Sequence, residues 1–196
     1  MSMFLGPIHY WLYDKIGNQE ELTKQIADYA VKAGFINDRT IYTKTLPPLE
    51  EVIDEENIHG WLQGCINDAE NRYARLITFI LSQGEKQIEI LESIAFAFGA
   101  EHAVPTGSNA QTAYKVFDDF FVNGMPCDRV NVLTVNEPDK VSWQQTQDIH
   151  APYWIENDCN TENYYILKNR IMDGMLAGKG LNLYFDDNGL YTINKQ

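Results

Sequence analysis

Two segments of the chain match each other without a gap when the sequence is shifted by 50 residues. Residues 8–34 share seven identities with residues 58–84, whereas average composition gives about one or two by chance. The shared residues are, in order, Ile, His, Trp, Leu, Ile, Glu and Gly. Common apolar spacing explains the aliphatic matches in any two amphipathic helices, but it does not explain His, Trp and Glu together. We interpret the match as a duplicated helix or a repeated structural role.

Helical periodicity extends over most of the chain. Pro7 suits the first position of a helix, and Gly34 is a natural C-terminal stop. Apolar spacing and cap residues place the later helices in the same way. The expected helices cover residues 7–34, 56–83, a stretch beginning near 85, 109–122, 136–150 and 161–177.

The C-terminal residues change to a period of two. Leu181–Phe185 and Leu190–Asn194 flank an Asp-Asp-Asn-Gly sequence, which is typical of a β-hairpin. Residues 129–135 are also β-prone, but a single such segment is ambiguous. The sequence therefore predicts a mainly α single domain over residues 1–196. We expect a bundle of five to six helices, with the two repeat-related helices at its centre and a small β-hairpin over residues 180–196.

Composition excludes several classes of protein. The formal net charge is −13 and no basic block interrupts it, so the chain repels nucleic-acid phosphates and anionic membrane surfaces. No apolar stretch approaches the roughly 20 residues that span a bilayer, and the N-terminal residues do not resemble a signal peptide. We expect a cytoplasmic protein with no nucleic-acid or membrane partner. The oligomeric state is open.

The three cysteines do not form a recognisable motif. Cys65, Cys127 and Cys159 are odd in number and far apart, and none belongs to a Cys-x-x-Cys pair. This spacing argues against a disulfide framework and against a thiolate zinc site. The sequence assigns them no chemical role.

Three of the four histidines occur in a common pattern, in which isoleucine precedes and tryptophan follows within four residues. Histidine binds metal ions through a neutral ring nitrogen. We therefore expect His9, His59 and His150 to act as metal ligands together with Glu56, which is three residues before His59. Iron or another transition metal is the first expected cofactor and haem the second. On this interpretation the chain is a metal-binding helical-bundle protein, a redox enzyme or a sensor.

The repeated glutamates, Glu20 and Glu70, are candidate catalytic residues. Each lies eleven residues after its histidine, about 16 Å along a helix axis, so a histidine and glutamate of one helix cannot share an ion. Parallel helices would bring His9 level with His59 and Glu20 level with Glu70. Antiparallel helices would separate the histidines. The sequence leaves both directions open.

Two further hypotheses need no compact set of metal ligands. In the first, Trp11, Trp61 and Trp154 line a pocket for haem or another flat organic ligand. In the second, the histidines form local hydrogen bonds and the acidic surface binds a protein partner. Whether the chain is an enzyme is left undecided by the sequence.

Overall fold

Seven α-helices and four β-strands make up the computed structural model, which describes residues 5–196. The prediction of a mainly α protein with a small β part is confirmed. The helices are α1 (Pro7–Lys32), α2 (Leu49–Val52), α3 (Ile58–Leu81), α4 (Gln87–Glu101), α5 (Ala110–Phe120), α6 (Ala151–Glu156) and α7 (Glu162–Leu176). The strands are β1 (Asn131–Glu137), β2 (Lys140–Gln145), β3 (Leu181–Phe185) and β4 (Leu190–Lys195).

The two long helices α1 and α3 run in the same direction. His9 Nε2 lies 3.4 Å from His59 Nε2 near the start of both helices. Further along, Glu20 forms an ion pair with Arg72. The contacts advance together along the two helices, so the arrangement is the parallel one of the two alternatives. Residues 33–57, which include α2, carry the chain back to the starting end.

Helices α4 and α7 approach each other unusually closely at two glycines. A Cβ atom on Gly99 would lie 2.0 Å from the Ile171 carbonyl oxygen, and one on Gly174 would lie 2.1 Å from the Phe96 carbonyl oxygen. Only glycine permits backbone contact of this kind. The crossing fixes α7, which carries a residue of the candidate site, against the core.

The strands form one antiparallel sheet in the order β1-β2-β4-β3. The predicted C-terminal hairpin is confirmed as β3 and β4. Asp186 Oδ1 closes its turn by accepting hydrogen bonds from the backbone N–H groups of Asn188 and Leu190, at 3.0 and 2.9 Å.

The predicted helix over residues 136–150 is wrong. Its middle is β2, which pairs with β1 on one side and β4 on the other. Three consecutive residues of β2, Val141, Ser142 and Trp143, are buried, at 0%, 4% and 2% exposure, as β2 lies between β1 and β4 inside the sheet. Helix α6 is absent from the prediction because Pro152 is a barrier within a helix, although proline is tolerated in the first turn, where it lies in α6.

No helix within residues 5–196 is both long and apolar enough to cross a membrane.

A candidate anion cavity with two buried lysines

The first two predicted histidine ligands meet as a pair. His9 is 4% exposed, and its Nδ1 accepts a hydrogen bond of 2.9 Å from the backbone N–H of Gly6. A neutral His9 therefore carries its proton on Nε2, which faces His59 Nε2 at 3.4 Å. His59 is exposed at the start of α3. The contact is an imidazole–imidazole hydrogen bond at the helix ends.

The third predicted ligand, His150, lies elsewhere. It precedes α6, and its Nδ1 is 3.1 Å from Glu70 Oε1 on α3. Both side chains are almost fully buried, at 2% and 1% exposure. Glu70 follows His59 by eleven residues, which is about 16 Å along α3. His150 is therefore remote from the other two histidines, and Glu56 is exposed in the turn before α3.

The prediction of a metal-binding protein is wrong. Across residues 5–196 there is no group of three or more His, Cys, Asp or Glu side chains that could hold a metal ion. Of the four predicted ligands, only His9 and His59 are in contact with each other. Two histidines without a third protein ligand do not make up the ligand set of a transition-metal site.

The two repeated glutamates do not meet either. Glu20 is 6% exposed and binds the Arg72 guanidinium through both carboxylate oxygens. Arg72 also donates to the Tyr42 carbonyl oxygen, at 2.8 Å. Glu70 instead accepts from His150. The repeat thus places equivalent carboxylates against different partners.

The three tryptophans are spread through the fold. Trp11 donates a hydrogen bond of 2.9 Å to Asp119. Trp61 packs against Tyr13, with ring centroids 5.9 Å apart. Trp154 is fully buried against Tyr73 at 5.8 Å. None of the three lines the cavity described next.

A small cavity lies between α1, α3, α4, the end of α5 and α7. Its volume is about 30 Å³, which is room for about two water molecules or for a group such as a carboxylate. Two of the lining residues are lysines and none is acidic. The lining residues are Lys15, Asn18, Gln19, Leu22, Tyr73, Phe98, Phe120, Phe121, Val122, Tyr164, Lys168 and Ile171.

Lys168, on α7, is a buried amine surrounded by aromatic rings. It is 4% exposed, and its Nζ lies 5.7–5.9 Å from four aromatic ring centroids. It forms no hydrogen bond or ion pair with any residue in the described part of the chain. Burial lowers the pKa of Lys168 to about 8, although the charges of Asp148 and Glu70 act in the opposite direction. The rings belong to Phe121, Tyr164, Tyr165 and Tyr191.

Lys15, on α1, is 2% exposed. Its Nζ lies 3.3 Å from the centroid of the Trp11 ring, a cation–π contact. Burial lowers the pKa of Lys15 to about 8, against the opposing effect of Asp118 and Asp119. Among residues 5–196, Lys15 donates no hydrogen bond. Both lysines of the cavity therefore have spare donors.

Gln19 adds to the excess of donors. It lines the cavity, and its Nε2 atom is buried without a hydrogen-bond partner among the described residues. The neighbouring Asn18 amide is satisfied, since it donates to the Phe120 carbonyl oxygen at 3.1 Å. The hydroxyl groups of Tyr73 and Tyr164 stay protonated, because burial raises the pKa of both. The cavity thus offers donors and positive charge without an acidic side chain to pair with them.

Sequence reasoning missed both lysines, although Lys168 leaves a detectable signal. The apolar stripe of α7 runs through Tyr164, Leu167, Ile171 and Met175. Lys168 is four residues after Tyr164 and three before Ile171, so helical periodicity places it within that stripe. A charged residue at a core-facing position is rare unless it is paired or functional.

Comparison with known proteins yields no match. No protein family fits the chain, and no curated protein or solved structure is significantly similar to it. The function proposed below depends on the geometry of the cavity.

Proposed function

We propose that the protein binds a short-chain monocarboxylate in the cavity, with the carboxylate group held by Lys168 and Lys15. One observation carries the proposal. Two lysines that are at least 96% buried line the same cavity, and neither has an acceptor among residues 5–196.

Electrostatics favours an anionic ligand. Burying an ammonium group without a counter-charge costs several kcal/mol, and natural proteins rarely do so without a partner. A bound carboxylate supplies the missing negative charge and accepts hydrogen bonds from the lysines. The same interaction stabilises the protonated amines and so raises the pKa of each lysine.

The shape and surface of the cavity favour a small ligand with an apolar tail. The volume of about 30 Å³ accommodates a planar carboxylate. Leu22, Phe98 and Phe120 supply apolar walls beside the lysines. These walls suit a methyl group, as in acetate, better than a fully hydrated anion such as inorganic phosphate.

The Glu70–His150 pair lies next to the cavity, because the His150 ring stacks on Tyr164, which lines the cavity. In its neutral form, a His150 that donates from Nδ1 to the Glu70 carboxylate has no proton on Nε2, which is the tautomer of an oriented general base. That Nε2 is buried without a partner in the described structure and does not line the cavity. Glu70 lies close enough to Lys168 to raise its pKa. We therefore propose a binding function and assign no catalytic step. In this proposal the Glu70 carboxylate raises the pKa of Lys168, and Glu20 holds the Arg72 guanidinium in an ion pair.

The test is a titration of the purified protein with sodium formate, acetate and butyrate at pH 7. Calorimetry and ligand-observed NMR measure the binding. We expect saturable binding to one site per chain, with acetate binding more tightly than formate, and butyrate binding weakest because its chain exceeds a volume of about 30 Å³. Lys168→Met and Lys15→Met should each weaken binding at least tenfold. Lys24→Met, at an exposed position on α1, is the matched control and should bind normally. The proposal fails if no carboxylate saturates the protein or if folded Lys168→Met binds like the wild type.

A further inference from the structure

A large groove lies between the end of β2, α7 and the β3–β4 turn. Its volume is about 590 Å³, a size typical of small-molecule sites. Four carboxylates line it, from Asp148, Glu162, Asp186 and Asp187. We call it the acidic groove. It shares no lining residue with the cavity that contains Lys168.

In the described part of the chain, no salt bridge neutralises the four carboxylates. No lysine or arginine lines the acidic groove, and within residues 5–196 none of its carboxylates forms an ion pair. Asp148 Oδ1 accepts hydrogen bonds of 3.0 Å from the backbone N–H groups of His150 and Ala151. Hydrogen bonds from the Leu190 and Asn188 backbone lower the pKa of Asp186. The acidic groove therefore carries several negative charges, and backbone hydrogen bonds hold two of the carboxylates in place.

A buried amide oxygen adds a second, independent sign of a ligand. Asn169 lines the acidic groove and is 6% exposed. Its Oδ1 has no hydrogen-bond partner in the part of the chain that the structure describes. A buried acceptor of this kind is satisfied either by an ordered water molecule or by a donor of a bound ligand.

Aromatic rings form part of the wall of the acidic groove. Phe185 is 53% exposed, and Tyr165 and Tyr191 lie beside it along the groove. Tyr191 stacks on Trp143 at 5.2 Å with an interplanar angle of 8°, which holds its ring in place. Ring faces attract organic cations and also pack against alkyl chains.

We propose that the acidic groove binds an aliphatic polyamine. Carboxylates and the Asn169 oxygen accept hydrogen bonds from its ammonium groups, and the rings contact its methylene chain. A hydrated divalent metal ion would gain nothing from the rings, whereas an alkyl cation uses every feature of the groove. The proposal is independent of carboxylate binding at Lys168.

The test is calorimetry of the full chain with spermidine at pH 7 in physiological salt. We expect saturable binding to one site, and Asp187→Asn/Glu162→Gln should weaken it at least tenfold. The matched control is Glu50→Gln/Glu51→Gln, which removes the same charge from exposed positions on α2 and should bind within twofold of the wild type.

Three outcomes would overturn the proposal. They are unsaturable binding, equal weakening in both double variants, and equal displacement by magnesium and by sodium at matched ionic strength. Each would mean that spermidine responds only to the net charge of −13.

Discussion

Glu70 accepts a hydrogen bond from Nδ1 of His150 at 3.1 Å, although the two residues are 80 positions apart in the chain. Both side chains are almost fully buried, and the His150 ring stacks on Tyr164 at 3.8 Å. The contact ties α3 to the start of α6 next to the face of α7 that carries Lys168. The polar pair therefore lies in the core next to Tyr164, which lines the proposed anion site.

Removal of either partner of this pair should destabilise the protein. Glu70→Ala and His150→Ala each leave a buried polar group unpaired, and we expect each to lower the free energy of unfolding by about 3 kcal/mol. The double variant should lose at least about 1 kcal/mol less than the sum. Urea denaturation of the four proteins measures this coupling. Strictly additive losses would show that the pair contributes no interaction.

Replacement of Lys168 by methionine should stabilise the protein. The substitution keeps the length of the side chain and removes a buried charge that has no partner among residues 5–196. We expect a gain of about 1–3 kcal/mol at pH 7, the range seen when buried charges are replaced by apolar residues. Urea denaturation in carboxylate-free buffer is the measurement. A destabilised Lys168→Met protein would mean that the amine makes a stabilising contact.

The stability of the wild type should rise as the pH increases from about 8 to about 9.5. Burial lowers the pKa of Lys168 to about 8, whereas the unfolded chain keeps that proton up to about pH 10.4. The unfolded state therefore binds more protons in this window, so its free energy rises relative to the folded state. Above about pH 10 the trend reverses, because burial raises the pKa of tyrosines such as Tyr164. Denaturation curves at a series of pH values should show a smaller rise in the free energy of unfolding for Lys168→Met than for the wild type. An identical rise would mean that a group other than Lys168 causes it.

The α4–α7 crossing predicts opposite effects for two glycine substitutions. A Cβ at Gly99 would lie 2.0 Å from the Ile171 carbonyl oxygen, so Gly99→Ala should lose about 1–3 kcal/mol or fail to fold. Gly17, in the middle of α1, has open space around the same atom. Gly17→Ala should gain about 0.5–1 kcal/mol. Thermal unfolding distinguishes them, and equal effects would contradict the close crossing.

The helices and the C-terminal hairpin could be predicted because their signals are local. Pro7 and Gly34 bound α1, and the Asp-Asp-Asn-Gly turn specifies β3 and β4. Strand β2 could not be predicted, because Asn136 and Pro138 resemble the start of a helix and the strand depends on pairing with the distant β4. Tertiary pairing overrode the local signal.

The candidate site was harder to predict than the fold. Identical residues of the repeat received different partners: Arg72 binds Glu20, whereas His150 binds Glu70. Those partners have no counterpart in the other helix, so the repeat alone pointed to a shared centre that does not form. Lys168 was recognisable only as a charge in an apolar stripe, and the cavity beside it depends on how five helices pack.

The central claim is that a carboxylate is the missing partner of Lys168, and the protonation of that amine tests it most directly. NMR titration with lysine labelled at Cε should show a signal with a midpoint near pH 8 in the free protein, absent from Lys168→Met. Saturation with acetate should move this midpoint upward by at least about one pH unit, which corresponds to at least tenfold tighter binding to the protonated amine. A midpoint that stays in place under saturating acetate would contradict the account.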